Sequence, residues 1–186
     1  MIEEHLIQKF PYKSINVRVG SRRSNPSNID MLILLLIYPG FATFNTIAAS
    51  PQLGFGLPNN LKSHFSFIDM HGLEDTLIPT NLESAYGPSP YDGLMSKHGS
   101  YFEEKENYLK KWADAMKCSG EETFYETPYD GQNDFYCLER KCPEDGNSIV
   151  RCFGSWGHEY PLAEDKKYVT AEVAFKFMMD HPRNKS

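Results

Sequence analysis

Asp75 and His158 each stand just beyond a stretch that reads as the end of a strand, Asp75 in "FIDMHGLEDTLIP" (residues 67–79) and His158 in "CFGSWGHEYP" (residues 152–161). Two serines, Ser21 and Ser24, lie earlier, in the polar turn "VGSRRSNPSNID" (residues 19–30). A serine hydroxyl becomes a nucleophile when an imidazole takes its proton, and a carboxylate holds that imidazole in the required tautomer and stabilises its charge. Serine, aspartate and histidine are therefore a complete set for acyl transfer if the fold brings them together. Plainer uses compete. Aspartate closes strands and caps helices, the glycines beside His71 and His158 serve turns, and among six histidines one in a loop decides little.

Positioning these groups requires strands that end at a common edge. "INVRV" (residues 15–19) alternates as a short strand before Gly20, and the apolar run "MLILLLIY" (residues 31–38), stopped by Pro39-Gly40, suits a buried helix. "FATFNTIAAS" (residues 41–50) and "HFSFIDMHG" (residues 64–72) read as further strands. Strands separated by a helix argue for parallel pairing in a layered α/β sheet, which offers ligand-handling residues in the loops beyond the carboxyl ends of its strands. Residues 2–10 carry Ile2, Leu6, Ile7 and Phe10 at helical spacing up to Pro11.

Residues 79–99, with three prolines and three glycines, read as a rim loop or a short helix followed by one. A helix is expected over residues 100–116, opened by a Ser100/Glu103 capping box and carrying Phe102, Leu109, Trp112 and Met116 on one face. "DFYCLE" (residues 134–139) and "SIVRCFGS" (residues 148–155) flank a charged turn containing Asp145-Gly146 and are expected to pair as a hairpin. "TAEVAFKFMMDHP" (residues 170–182) reads as a last helix capped by Thr170 and stopped by Pro182.

A chain of 186 residues, 40% hydrophobic and 13% aromatic, holds one domain with a real core. A net charge of -6 and a pI near 5.5 argue against nucleic acid or an anionic membrane as partner. The run at Met31 is far short of the roughly 20 residues that span a bilayer. The N-terminus opens with two glutamates and lacks the basic and apolar regions of a cleavable signal. All four cysteines, Cys118, Cys137, Cys142 and Cys152, fall in one window, which suggests two disulfides and hence an oxidising, extracellular compartment. Three pairings are open. The hairpin favours Cys137 with Cys152, leaving Cys118 for Cys142; zinc, without any Cys-x-x-Cys, is the weaker alternative.

From about Ile2 onward the chain resembles the second half of the secreted polyhydroxybutyrate depolymerase and feruloyl esterase family of α/β-hydrolases. The resemblance rests on "HGLEDTLIP", which is similar to a His-Gly-x-x-Asp segment ending in Val/Ile-Pro, and on "GHEYP", similar to Gly-His-x-Trp-Pro with Tyr160 in place of Trp. "KWADAMKC", "FATFNTIAASPQLGFG" and "FKFMMDHPR" resemble a Trp-Ala motif ending in cysteine, the strand after the nucleophile helix, and the final helix. It implies a partial α/β-hydrolase fold, a mostly parallel sheet with flanking helices lacking the N-terminal strands, in one N-terminally truncated domain over residues 1–186.

What the resemblance further implies is a carboxylic-ester hydrolase with Ser24 as nucleophile, His158 as general base and Asp75 as the triad acid. No metal or other cofactor is implied, and the substrate would be a polyester or a plant cell-wall ester. Trp156 and Tyr160 would line the acyl pocket or pack beneath the loop. The family's Gly-x-Ser-x-Gly elbow needs residues without a Cβ around the strained serine, and here Arg22 and Pro26 occupy the glycine positions around Ser24. The alternative is a non-catalytic remnant or a secreted, disulfide-bonded binding domain of the same fold.

Overall fold

The computed structural model describes residues 14–18, 42–53, 65–87, 89, 91–142, 146–161 and 169–182. Ser21, Ser24, the helix expected over residues 2–10 and the apolar run at residues 31–38 lie outside them. In chain order the elements are β1 (Ser14–Arg18), β2 (Thr43–Ile47), β3 (Ser66–Gly72), β4 (Leu94–Met95), β5 (Tyr101–Phe102), helix α1 (Lys105–Ala115), β6 (Glu122–Phe124), β7 (Tyr136–Cys142), β8 (Asn147–Gly154) and helix α2 (Val169–Asp180). A six-stranded sheet runs in the order β1-β2-β3-β8-β7-β6. Strands β1, β2, β3 and β8 pair in parallel, whereas β7 and β6 join antiparallel.

The expected mostly parallel sheet is thus a mixed one, in an α/β arrangement. The cause is the hairpin of residues 136–154: its second strand is the one that docks on β3, so its first must run the other way and carries β6 along. Strand β6 had no signal in the sequence.

Every residue of β3 is buried, as befits a strand covered on both faces. Its even positions Ile68 and Met70 pack with Val150, Cys137, Cys152, Trp156 and the Val173/Ala174/Phe177 face of α2. Its odd position Phe67 packs with Phe44, Phe65, Ile149 and the Leu109/Trp112/Ala113 face of α1. In α1 the inward residues Lys105, Leu109, Trp112 and Ala113 recur at helical spacing. Fully burying a side chain such as Phe177 or Phe67 contributes roughly 2–3 kcal/mol.

Two corrections concern helix starts. The Ser100/Glu103 capping box does not form: Tyr101 and Phe102 pair with Leu94 and Met95, the Glu103 N–H donates to the Pro51 carbonyl, and the helix begins at Lys105 after an extended Glu104. The competing strand pair, which also gives the rim loop a short strand, takes the backbone the capping box would have needed. Helix α2 begins at Val169, whose N–H donates to Pro161, so Thr170 is a buried residue of the first turn and not a cap.

The disulfides are Cys137–Cys152 and Cys118–Cys142. Cys137 and Cys152 face each other directly across β7 and β8 on the α2 side, while Cys118–Cys142 ties the chain just beyond α1 to the end of β7 on the other side. No helix among the described residues is long and apolar enough to cross a membrane.

Candidate active site

Parallel strands β3 and β8 are neighbours and end at the same edge, with Gly72 opposite Gly154. Beyond them the two loops are stitched together by backbone bonds: the Leu73 N–H donates to Gly154 O (2.9 Å) and the Glu74 N–H to Trp156 O (3.1 Å). This approach is so close that a Cβ on Gly72 would sit 1.9 Å from the Trp156 carbonyl oxygen. Glycine is required there for space alone.

The stitched loops bring Asp75 and His158 together. His158 Nδ1 lies 2.8 Å from Asp75 Oδ2, across 83 positions of sequence. The carboxylate is fully buried. Its other oxygen, Oδ1, accepts the backbone N–H groups of Leu77 and Ile78, both at 2.9 Å, which closes the turn that carries it. Burial by itself would push the Asp75 carboxyl up, but hydrogen bonds from His158, His71 and the Ile78 N–H outweigh it and hold the group well below the usual carboxylate range. An ionised carboxylate only accepts, so His158 must carry its proton on Nδ1. That leaves the Nε2 lone pair, without a partner among the described residues, on a side chain 18% exposed: the tautomer of a general base.

A second imidazole shares the acid. His71 Nε2 lies 3.0 Å from Asp75 Oδ2 and 3.0 Å from the Ile78 carbonyl oxygen. The sequence suggested a His-Gly turn, but His71 and Gly72 are the last residues of β3, and the strand's alternation turns His71 to the same face as Asp69. Asp69 Oδ1 accepts from Thr46 Oγ1 (2.5 Å) and from the Lys105 ammonium (3.1 Å), and Lys105 also donates to Ala49 O. Burial drives the Lys105 pKa down against the pull of Asp69. An aspartate in the middle of an apolar strand was a visible sign of this network. Lys105 gave none, standing among other charged residues at a helix start.

Of the other residues singled out from sequence, Trp156 is buried and stacks on Phe135 at 5.7 Å, so it packs beneath the loop. Tyr160 is half-buried. At the same edge of the sheet, residues following β2 meet the rim loop around an open cavity of about 570 Å³ lined by Gln52, Leu53, Tyr91, Asp92, Ser100 and Tyr101. The Leu53 N–H donates to Tyr101 O, and the Lys97 N–H to Thr76 O beside Asp75, so backbone bonds tie the cavity wall to the acid-bearing turn.

No protein-family model matches this chain, and no curated protein matches it significantly.

Proposed function

We propose that this chain carries the acid and base of a serine carboxylic-ester hydrolase of the polyhydroxybutyrate depolymerase or feruloyl esterase kind. The observation that supports it most is the 2.8 Å contact from His158 Nδ1 to a fully buried Asp75, with His158 Nε2 left open as base. In this reading Ser24, outside the described residues, attacks the ester carbonyl. His158 takes the serine proton and returns it to the leaving alcohol, then activates the water that releases the acid, while Asp75 stabilises the imidazolium. The cavity beside Tyr91 and Tyr101 has the volume for the acyl or alcohol portion of a small ester. Two disulfides suit a secreted enzyme.

A fluorophosphonate probe with an activated aryl ester tests this. Covalent labelling at Ser24, lost together with hydrolysis in Ser24→Ala and in His158→Ala, is the expected result. A folded protein that neither labels nor hydrolyses favours the second reading, a disulfide-bonded remnant or binding domain without turnover. That reading draws on Arg22 and Pro26 at the glycine positions of the elbow.

A further inference from the structure

Two imidazoles touch one oxygen of one buried carboxylate, and a working acid-base pair needs the proton to settle on only one of them. We propose that His71 is a positioning residue, a neutral N–H donor that aims the Asp75 carboxylate at His158. The inference rests on the acid-base reading of Asp75 and His158 and extends it.

The geometry carries it. His71 Nε2 faces two acceptors, Asp75 Oδ2 and the Ile78 carbonyl, so it must bear a hydrogen, which it shares between them. Its other nitrogen, Nδ1, is buried and has no hydrogen-bond partner among the described residues. A second proton on the ring would have to sit on that nitrogen, as a cationic N–H enclosed without an acceptor, which is among the costliest placements for a polar group. His158 is the opposite case: its bonded nitrogen meets Asp75, and its free nitrogen stands at a partly exposed surface.

Among the described residues, charges act on His71 from β3, from the turn beyond it and from α1. Asp69 on β3 and Asp75 beyond it favour a cation, whereas Lys105 at the start of α1 opposes one, and His158 reaches the ring only through Asp75. Burial is the largest influence, Lys105 adds to it, and together they hold His71 below the ordinary histidine range. Asp69 is already committed to Thr46 and Lys105.

The consequence for the carboxylate is specific. Asp75 Oδ1 is fixed by two backbone N–H groups and Oδ2 by the His71 N–H, so the remaining acceptor direction of Oδ2 is the one that His158 uses. A neutral donor orients the acid without cancelling its charge, which stays whole for the His158 imidazolium.

Imidazole nitrogen NMR on the intact, oxidised protein, read from pH 8 to pH 5, tests this without requiring activity. His71 is expected to keep one proton on Nε2 and none on Nδ1 throughout. The hydrogen-bonded Nδ1 proton of His158 is expected to weaken or exchange faster in His71→Leu and to return in His71→Gln, whose terminal amide restores a donor near the Nε2 position. Uptake of a second proton by His71 in that range overturns the proposal. So does a His158 Nδ1 signal that is unchanged in a folded His71→Leu. Should His71→Leu not fold, the wild-type spectrum still decides. If the protein hydrolyses esters, His71→Leu lowers kcat about tenfold at unchanged KM, the worth of one oriented hydrogen bond, and His71→Gln restores it. Wild-type protein without hydrolysis but with the expected spectra would sink the esterase reading and leave the positioning role standing.

Discussion

Strand β3 shows two different kinds of side chain to its two neighbouring layers. Towards α2 it presents Ile68 and Met70 to an apolar cluster that includes Val173, Phe177 and the Cys137–Cys152 disulfide. Towards α1 it presents Phe67, then Asp69 and His71, so that the apolar packing at one end of the strand gives way to a buried ionic and imidazole network at the other. Volume is what matters for Ile68 and Met70 on the first face, because burial and shape are what their side chains contribute there. Pairing is what matters on the second, where each polar group is tolerable only while its partner remains.

The largest expected effect lies at the polar end. Asp75→Asn keeps the shape but can present an amide N–H to His158 and favours the wrong imidazole tautomer, so ester hydrolysis measured as kcat/KM should fall by about 10⁴-fold. A folded variant with near-wild-type turnover would show that the acid has no catalytic part. On the apolar face the loss is one of stability: Phe177→Ala empties a fully buried site and should cost about 3–5 kcal/mol in denaturant unfolding. Hydrolysis per folded molecule should survive.

Lys105→Ala sharpens the contrast, since it removes the ammonium that donates to the buried Asp69 side chain. A loss of about 3 kcal/mol is expected, with part of it regained when Asp69→Leu is added to Lys105→Ala. A purely additive pair of losses would mean that the two groups do not depend on each other.

How the two faces could be read beforehand differs in the same way. The apolar stretches "HFSFIDMHG" and "SIVRCFGS" read as strands, and the spacing of Leu109 and Trp112 exposed a helix face, because apolar burial leaves a pattern in the sequence. The paired cysteines followed from the hairpin. Hydrogen-bond partnerships leave no period. Asp75 and His158 could be picked out as loop residues beyond strand ends, but His71 as a second partner, Lys105 as the counter-charge to Asp69, and strand β6 all depend on which elements become neighbours. The capping box at Ser100 failed for a related reason: the backbone of residues 101–103 pairs with Leu94 and Met95 and with the distant Pro51 and Gln52, and no local pattern announces those partners.

The pH dependence of stability separates the faces further, with a smaller effect. His71 is lowered in the folded protein, so below about pH 6.5 the unfolded chain binds a proton that the native state refuses. The stabilisation is present above that pH and is lost as pH falls, with a slope approaching about 1.4 kcal/mol per pH unit for one proton. Asp75, also lowered, adds its own loss below about pH 4. His71→Gln should flatten the first segment of the curve and leave the second. The smallest effect belongs to neither face: Lys110 and Asp114 pair on the exposed side of α1, and Lys110→Ala should change stability by less than about 0.5 kcal/mol.

The adjacency of β3 and β8 has a kinetic side. Both loops of the cluster hang on a pairing between strands separated by residues 73–146, so a large loop must close before Asp75 and His158 can meet. Local pieces such as α1 and the hairpin of residues 136–154 can organise early, whereas this junction belongs to the slow, long-range part of folding. During refolding the acid and the base should therefore come into register last, after most of the helix signal has returned.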